Sequence, residues 1–304
     1  MYETKQHKSA KLALFGATLI WGGSFLIVKN SMEVMQPHAL LAFRFTIGSL
    51  LLCAIFHKRL KELSKEYFIK GGALGIFLFL AYSMQTIGIT DTTPGKNAFL
   101  TAIYVVIVPF LFWAIDKKKP DTYNVLAAFV SIIGIGFVSL NGDFSIRMGD
   151  ALTLVGGVLY AVHIVAVAKF AKDKDVILLT IIQFAVAAIL SWIVTLLFED
   201  VPKPEMWGME SIIGLLYLAV FATAVALLLQ NIGQKYTNPA PAAIILSLES
   251  VFGVVFSVIF MYEQLSARLF IGFCLIFFAV IISETKLNFL KPNKEMVMAP
   301  EDIN

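Results

Sequence analysis

Long apolar runs, joined by short polar connections, make up most of the chain. Most of the runs have the ~20 residues that an α-helix needs to cross about 30 Å of hydrocarbon. They do not alternate between apolar and polar positions, as the strands of a membrane barrel would, so each run predicts a helix. Ten runs can be marked, at residues 11–29, 37–57, 69–88, 95–115, 122–140, 149–169, 176–198, 209–231, 239–262 and 266–284. The pattern predicts an all-α integral membrane protein with ten transmembrane helices.

The two ends of the chain differ in character. A basic, polar start leads into the first apolar run, as in a signal peptide, but the run continues past Trp21 without a small-residue cleavage site. We therefore expect this run to remain as the first transmembrane helix. Residues 285–304 are polar and contain two prolines, and we expect them to form a disordered cytoplasmic tail.

The second half of the chain repeats the first. Residues 85–139 align without a gap on residues 230–284 at an offset of 145, and both segments carry the pattern Q-x-I-G-x-x-x-T-x-P. At an offset of 139, the helices that open the two halves also correspond, with Trp21 over Tyr160 and Ser24 over His163. The chain is thus predicted to hold two copies of one unit.

Each copy has an odd number of spans, so the second copy enters the membrane in the opposite direction. We expect the first repeat over residues 11–140 and the second over residues 149–284. Inverted repeats of this kind are a recurring plan of secondary transporters, whose binding site lies near the membrane midplane between the two halves.

Composition and charge agree with a membrane location. The chain is 59% hydrophobic and 15% charged, against about 45–50% and 25% in soluble domains. With the N-terminus inside, 18 of the 24 Lys and Arg residues fall on the cytoplasmic side and five on the other side. This asymmetry predicts cytoplasmic termini and a location in the cytoplasmic membrane, in contact with lipid. The small net charge of +3 gives no indication of a nucleic-acid partner.

Motifs of enzymes and metal sites are not found in the sequence. Cys53 and Cys274 both lie in apolar runs and are interpreted as small buried residues. The stretch GITDTTPGK has six residues between Gly88 and Gly95 where a phosphate-binding loop has four, and Asn97 replaces the required Ser or Thr. There is no H-E-x-x-H and no G-x-S-x-G. We expect no cofactor, no metal and no enzymatic activity.

Three stretches resemble a known family. NAFLTAIYVVIVPFLFW, LIWGGSFLIVK and the long segment at residues 214–266 are similar to EamA-type members of the drug/metabolite transporter superfamily, and the resemblance extends over roughly residues 11–284. Its more specific part is the motif that ends in Glu263 before the tenth helix. The resemblance implies two inverted repeats of five helices, a central cavity lined by helices one, three, four, six, eight and nine, and small metabolites as cargo, commonly exported.

One residue departs from the family pattern. Members usually have a proline after the acidic residue in the ninth helix, and this chain has Ser250 after Glu249. Proline would kink the helix, whereas serine bends it only mildly.

Glu249 is the most conspicuous polar residue of an apolar run. It lies about 15 Å along the helix from Pro239, at 1.5 Å per residue, and so near the midplane. A charge there costs at least ~2.5–3.5 kcal/mol. One interpretation is contact with substrate or protons, and the other is a neutral, hydrogen-bonded residue that holds the ninth helix. His163, the only intramembrane histidine, is a second candidate for proton coupling, since imidazole exchanges protons near neutral pH; it is equally interpretable as a packing residue.

Other polar and aromatic side chains at matching places in the two repeats are candidates for substrate binding. The spacing of Asn97, Thr101 and Tyr104 places three hydrogen-bonding groups on one helical face. Arg44, within the second helix, is interpreted as an interfacial anchor or as a partner for an acid. The predicted substrate-binding residues are Trp21, Ser24, Gln85, Asn97, Thr101, Tyr104, Tyr160, His163, Gln230 and Glu249.

The predicted function is secondary transport of a small organic metabolite, an amino acid or a similar compound, by alternating access and in the outward direction. Protons or the solute gradient supply the driving force. The alternatives are a passive facilitator or channel, a sugar-phosphate-type carrier and a membrane enzyme. A carrier of phosphates would need several cations in its cavity, whereas only Arg44 and Lys29 are at hand.

Overall fold

The structure is a computed structural model that describes residues 2–117, 119–139, 146–203, 207–237 and 239–287. The described residues are almost entirely helical. In chain order the helices are α1 (Tyr2–Ser31), α2 (Pro37–Ile55), α3 (Lys65–Thr90), α4 (Pro94–Thr101), α5 (Tyr104–Asp116), α6 (Thr122–Ser139), α7 (Met148–Phe170), α8 (Val176–Phe198), α9 (Met209–Leu216), α10 (Ala226–Lys235), α11 (Pro239–Met261) and α12 (Ala267–Thr285). A π-helical segment, Tyr217–Val225, joins α9 to α10. Most of the predicted tail, residues 288–304, lies outside the described ranges.

Within the described ranges, seven helical stretches are long and apolar enough to cross a membrane. They are His7–Ser31, Pro37–Ile55, Lys65–Thr90, Pro94–Ile115, Met148–Phe170, Val176–Phe198 and Met209–Lys235. Three shorter apolar stretches, Thr122–Val138, Ile245–Met261 and Ala267–Ile282, fall where the fifth, ninth and tenth spans were predicted. The prediction of an all-helical membrane protein is confirmed, and seven of the ten predicted spans reach full length by this measure.

The fourth span is interrupted at its centre. Pro109 lacks a backbone N–H, so it cannot form the helical hydrogen bond to the carbonyl four residues earlier. One turn before that point, the backbone tightens: Val105 N donates to Ala102 O at 3.1 Å and Val106 N to Ile103 O at 3.0 Å. These three-residue bonds separate α4 from α5. The interruption places Tyr104 at the first position of α5, in the middle of the span.

The outer surface of the helix bundle is apolar. Leu12, Phe129, Leu196 and Phe198 are each more than 60% exposed. Large apolar side chains that face outward on so many helices match a lipid environment, because hydrocarbon, unlike water, does not penalise their exposure. Polar side chains such as Asn97, by contrast, are buried within the bundle. The polar groups that could form a site therefore lie in the interior, among a largely apolar core.

Two glycines permit close helix crossings at opposite ends of the bundle. A Cβ on Gly88, near the end of α3, would lie 2.7 Å from the carbonyl oxygen of Gly149 on α7. A Cβ on Gly233, near the end of α10, would lie 2.9 Å from the carbonyl oxygen of Ala10 on α1. Both contacts are shorter than any real Cβ would tolerate. Only glycine therefore fits at these two crossings.

Candidate functional site

A cavity with about 40 Å³ accessible to water lies inside the bundle. Side chains from α1, α2, α3, α4, α5, α7, α10 and α11 line it. The lining residues are Trp21, Ser24, Phe25, Val28, Arg44, Tyr82, Gln85, Thr86, Ile89, Asn97, Tyr104, Tyr160, Ile164, Leu227, Gln230, Leu246 and Glu249. The lining is mostly aromatic and apolar, with a few polar groups, as is usual for small-molecule sites. The family resemblance implies a lining from the first, third, fourth, sixth, eighth and ninth spans, which are α1, α3, α4–α5, α7, α9–α10 and α11. The structure adds α2, which contributes Arg44.

Eight of the ten residues that the sequence singled out for substrate binding line this cavity, and two do not. The eight are Trp21, Ser24, Gln85, Asn97, Tyr104, Tyr160, Gln230 and Glu249. Thr101 lies just behind the wall, and His163 lies between α7 and α8. The geometry thus gathers most of the candidates at one place.

Glu249 is buried, and its side-chain partner is Tyr104. The Tyr104 hydroxyl donates a hydrogen bond to Oε1 of Glu249 at 3.1 Å. The two residues are equivalent under the repeat offset of 145. Next along α11, the Ser250 hydroxyl donates to the Ser247 carbonyl at 2.7 Å, and the helix runs without a break from Pro239 to Met261. Serine in place of the family's proline therefore leaves α11 continuous beside the acid.

Gln85 organises one wall of the cavity. Its Nε2 donates to Thr101 Oγ1 at 3.1 Å, and its Oε1 accepts from the Tyr160 hydroxyl at 2.9 Å. The Gln85 carbonyl accepts from Asn97 Nδ2 at 3.2 Å, and the same amide nitrogen donates to Thr153 Oγ1 at 2.8 Å. The network connects α3, α4 and α7. Thr101, predicted to touch the substrate, instead fixes the amide of Gln85.

The remaining predicted lining residues have internal partners of their own. Trp21 Nε1 donates to the carbonyl of Ala222 at 2.8 Å, and the Ser24 hydroxyl donates to the carbonyl of Trp21 at 2.8 Å. Gln230 Nε2 donates to Gln234 Oε1 at 3.3 Å. These bonds hold the polar groups in place, so that the indole ring and the amide present fixed surfaces to the cavity.

His163 lies away from the cavity. It is 1% exposed, and its Nε2 lies 3.0 Å from Oε1 of Gln183 on α8. The sequence does not indicate which neighbouring helix a histidine on an apolar helix faces. Its position in the structure favours the interpretation as a packing residue.

Arg44 is one of the cavity-lining residues that sequence reasoning missed. It lines the cavity, and it is 2% exposed, so its side chain does not reach the surface of the bundle. Its Nε donates to Thr223 Oγ1 at 3.2 Å, and its guanidinium carbon lies 5.2 Å from the centre of the Tyr82 ring. Tyr82, three residues before Gln85, was missed as well, although this spacing places both on one face of α3.

A cluster of polar side chains joins the two halves of the chain at one end of the cavity. Asp150 on α7 is fully buried; it accepts a hydrogen bond from the Thr92 hydroxyl at 2.6 Å and pairs with Lys96 Nζ at 2.6 Å. Glu263, between α11 and α12, accepts hydrogen bonds from the Thr93 hydroxyl, from Gly95 N at 3.2 Å and from the Ser257 hydroxyl at 2.5 Å. We call Thr92, Thr93, Lys96, Asp150 and Glu263 the polar end cluster.

No group of three or more His, Cys, Asp or Glu side chains suited to a metal ion occurs among the residues that the structure describes. Cys53 and Cys274 are free, partly buried thiols. The chemistry of the cavity therefore comes from one guanidinium, one carboxyl group, three amides, hydroxyls and aromatic rings.

Comparison with known proteins identifies relatives over nearly the whole chain. The model of the EamA-like transporter family matches residues 8–140 and, a second time, residues 147–285. An uncharacterized transporter of Archaeoglobus fulgidus is 35% identical over 280 residues, which cover 90% of this chain and 85% of the relative. The uncharacterized transporter YyaM of Bacillus subtilis is 25% identical, with 83% of this chain and 86% of the relative covered.

A solved structure shares the fold. It superimposes with a TM-score of 0.68 at 18% identity, covering 92% of this chain and 99% of the other. The relatives indicate a multi-pass membrane transporter and not an enzyme. On the two matches of the family model and on the similarity to the archaeal relative, the chain belongs to the EamA-like transporter family.

Proposed function

We propose that the protein is a secondary transporter that exports a small organic metabolite, an amino acid or a similar compound, by alternating access. The central cavity is the observation that carries this proposal. It is built from both segments that the family model matches, and a solute held there would contact each of them. Movement of one half against the other would then expose the solute to each side in turn. Export follows the direction common among the transporters that the chain resembles.

The architecture of this proposal is ten transmembrane helices in two inverted repeats. The glycine crossings support it, because Gly88 and Gly233 are equivalent at the offset of 145, and their partners Ala10 and Gly149 are equivalent at the offset of 139. The same crossing thus recurs at opposite ends of the bundle. The contact between Tyr104 and Glu249 supports it too, since equivalent residues can touch only on the axis that relates two halves.

Both termini lie in the cytoplasm in this proposal, and the membrane is the cytoplasmic membrane. The distribution of Lys and Arg supports that orientation. This orientation places the polar end cluster, which joins the two halves of the chain, on the outer side. Outward release of solute then requires the cluster to separate.

Transport in proteoliposomes tests the proposal. The protein is reconstituted, preloaded with unlabelled amino acids, and assayed for uptake of the same labelled compound. A carrier that alternates shows saturable uptake and accelerated counterflow. A channel or facilitator shows flux that does not saturate and no counterflow, and that result would exclude alternating access. A thermal-shift screen against a metabolite library selects the compounds, because a bound ligand stabilises the folded state.

The driving force is either the solute gradient or protons, and Glu249 is the residue to change. If this carboxyl group carries protons, Glu249→Gln abolishes the dependence of transport on the pH gradient while the protein still folds. Glu66→Gln is the matched control, since Glu66 is 47% exposed and pairs with Lys70 at the bundle surface. Unchanged pH dependence in a folded Glu249→Gln variant would leave the solute gradient as the driving force.

A further inference from the structure

The central cavity does not treat the two halves of the chain alike. The helices follow the offsets found in the sequence: α2 and α8 begin 139 residues apart, and α4 and α11 begin 145 residues apart. Gln85 and Gln230, equivalent at the offset of 145, both line the cavity. Other lining residues of the first half have equivalents that do not line it. They are Ser24, Arg44, Thr86 and Ile89, whose equivalents are His163, Gln183, Asn231 and Gln234.

This asymmetry has a direction along the bundle, which α1 makes clear. Near the end of α1, Lys29 Nζ donates to the carbonyl of Ile89, in the last turn of α3, at 2.8 Å. Nearer its start, Ala10 packs closely on Gly233, the residue before Gln234 in the last turn of α10. About 28 Å of helix, at 1.5 Å per residue, separates these two contacts. The cavity thus extends toward the end of the bundle where α3 ends, whereas Gln234 lies toward the opposite end.

Three of the four equivalents are buried amides that are bonded at one end only. Oε1 of Gln183 lies 3.0 Å from the imidazole of His163, and Asn231 Nδ2 donates to Thr180 Oγ1 at 2.9 Å. Gln234 Oε1 accepts a bond at 3.3 Å from the amide one turn earlier on α10. The other end of each amide has no hydrogen-bond partner among the residues that the structure describes. Each side chain is at most 2% exposed.

Half-bonded amides in a protein interior call for an explanation. A buried donor or acceptor that lacks a partner has lost its bonds to water and gained none in exchange, which costs free energy. Gln183, Asn231 and Gln234 share one property beyond burial: each is the repeat equivalent of a residue that lines the cavity. The coincidence of unbonded amides with these positions indicates groups that find their partners in another conformation.

We infer that Gln183, Asn231 and Gln234, together with His163, form a second polar lining that opens at the end of the bundle opposite to the present cavity. The inference rests on the proposed function. In a carrier built from two inverted repeats, the second state of the cycle arises when the halves exchange their conformations. Each of the four residues then takes the surroundings that its equivalent in the first half has now. The free ends of the three amides bond to solute or water in that state.

The second lining differs in chemistry from the first. Gln183 stands where the first half has Arg44, and Gln234 stands where it has Ile89. An amide offers both donors and acceptors without a charge. It can therefore exchange a protein partner for a solute partner without leaving an uncompensated charge in the closed state. His163 packs against Gln183 in the conformation described here and lines the path in the other.

Cysteine modification tests the inference on the full-length protein and needs no known solute. In a background of Cys53→Ala and Cys274→Ala, Gln234→Cys reports on the second lining and Ile89→Cys on the present cavity. The probe is a methanethiosulfonate reagent with a trimethylammonium group, whose charge prevents it from crossing the membrane. It is added to intact cells and to inside-out vesicles. In the proposed orientation, Ile89→Cys reacts in cells and Gln234→Cys reacts in vesicles.

Ser131→Cys is the matched control. The Ser131 hydroxyl is also buried without a partner among the described residues, but its repeat equivalent, Ile276, does not line the cavity. We expect Gln234→Cys to react about ten times or more faster than Ser131→Cys in vesicles, because a thiol reacts only in the state that exposes it. Gln183→Cys and Asn231→Cys repeat the measurement, so the test does not depend on the folding of one variant. A smaller difference at every position that folds overturns the inference.

The transport assay separates this inference from the function on which it rests. If the wild-type protein shows saturable uptake and counterflow while Gln234→Cys reacts as slowly as Ser131→Cys, the transporter stands and the second lining falls. If Ile89→Cys and Gln234→Cys each react from both sides, the path is a continuous channel, and both fall. Reaction from opposite sides without counterflow of amino acids keeps the second lining and rejects the proposed cargo. Reaction from opposite sides together with counterflow supports both.

Discussion

Replacing Asp150 by asparagine removes the negative charge at the centre of the polar end cluster. The asparagine keeps nearly the same shape and still offers an oxygen to the Thr92 hydroxyl. It removes the ion pair with Lys96, whose Nζ lies 2.6 Å from Asp150 Oδ2. Asp150 is fully buried, and the side chain of Lys96 is 14% exposed. The ammonium group therefore loses its counter-ion in a place where water reaches it only in part.

The expected magnitude follows from this burial. Removing one partner of a buried ion pair costs about 3–5 kcal/mol, since the other charge remains uncompensated. Because Lys96 keeps some access to solvent, we expect the lower end, about 3 kcal/mol of unfolding free energy. Asp121→Asn is the matched control: Asp121 pairs with Lys286, and the two side chains are 35% and 50% exposed. An exposed pair of this kind contributes about 0–1 kcal/mol.

Unfolding by sodium dodecyl sulfate in mixed micelles, followed by tryptophan fluorescence, measures both variants. Lys96→Met completes a double-mutant cycle with Asp150→Asn, and we expect a coupling free energy of about 1.5–3 kcal/mol for a buried charged hydrogen bond. The coupling should persist in high salt, because buried pairs are screened much less than surface pairs. A loss from Asp150→Asn no larger than that from Asp121→Asn would refute the reasoning.

Two further substitutions probe the same architecture. Gly88→Ala would bring a Cβ to 2.7 Å from the Gly149 carbonyl oxygen, and we expect a loss of about 2–3 kcal/mol in the same unfolding assay. Gly72→Ala, with no atom within 4 Å of the new Cβ, should instead be neutral or add about 0.5–1 kcal/mol, and equal effects of the two changes would contradict the close crossing. Glu263→Ala removes the acceptor for three donors, two at the start of α4 and one in α11, and we expect a loss of about 3 kcal/mol. The exposed Glu210→Ala should stay within about 0.5 kcal/mol, and a similar loss in both would exclude the role of Glu263 as an anchor.

Much of the fold was predictable because hydrocarbon imposes strict limits on a chain. Backbone groups in a membrane must bond within their own segment, so a long apolar run can hardly be anything but a helix. The interruption before Tyr104 and the π-helical segment at Tyr217–Val225 were not predicted. Both depend on local hydrogen bonding, such as that of the Thr223 hydroxyl to the Leu218 carbonyl at 2.8 Å. The pattern of apolar and polar residues along the chain does not reveal such bonds.

The candidate site was predictable where spacing along one predicted span places groups together, as for Asn97 and Tyr104. It was not predictable where the partner comes from a distant helix. Arg44 was interpreted as an interfacial anchor or as a partner for an acid, whereas its position depends on packing against the segment that carries Thr223. His163 was included because of its chemistry, yet Gln183 on α8 holds it behind the cavity wall. That these lining residues bind substrate stays a prediction.

The contact between Tyr104 and Glu249 also bears on how a solute would travel. In the proposed arrangement the two residues meet on the axis that exchanges the two faces of the membrane. Identical groups at that point would accept a solute equally well in either of two opposed poses. A phenol and a carboxyl group are different, so the head of the solute is distinguished from its tail. The solute would keep the same orientation in the cavity throughout transport, and it would be released without rotating end over end.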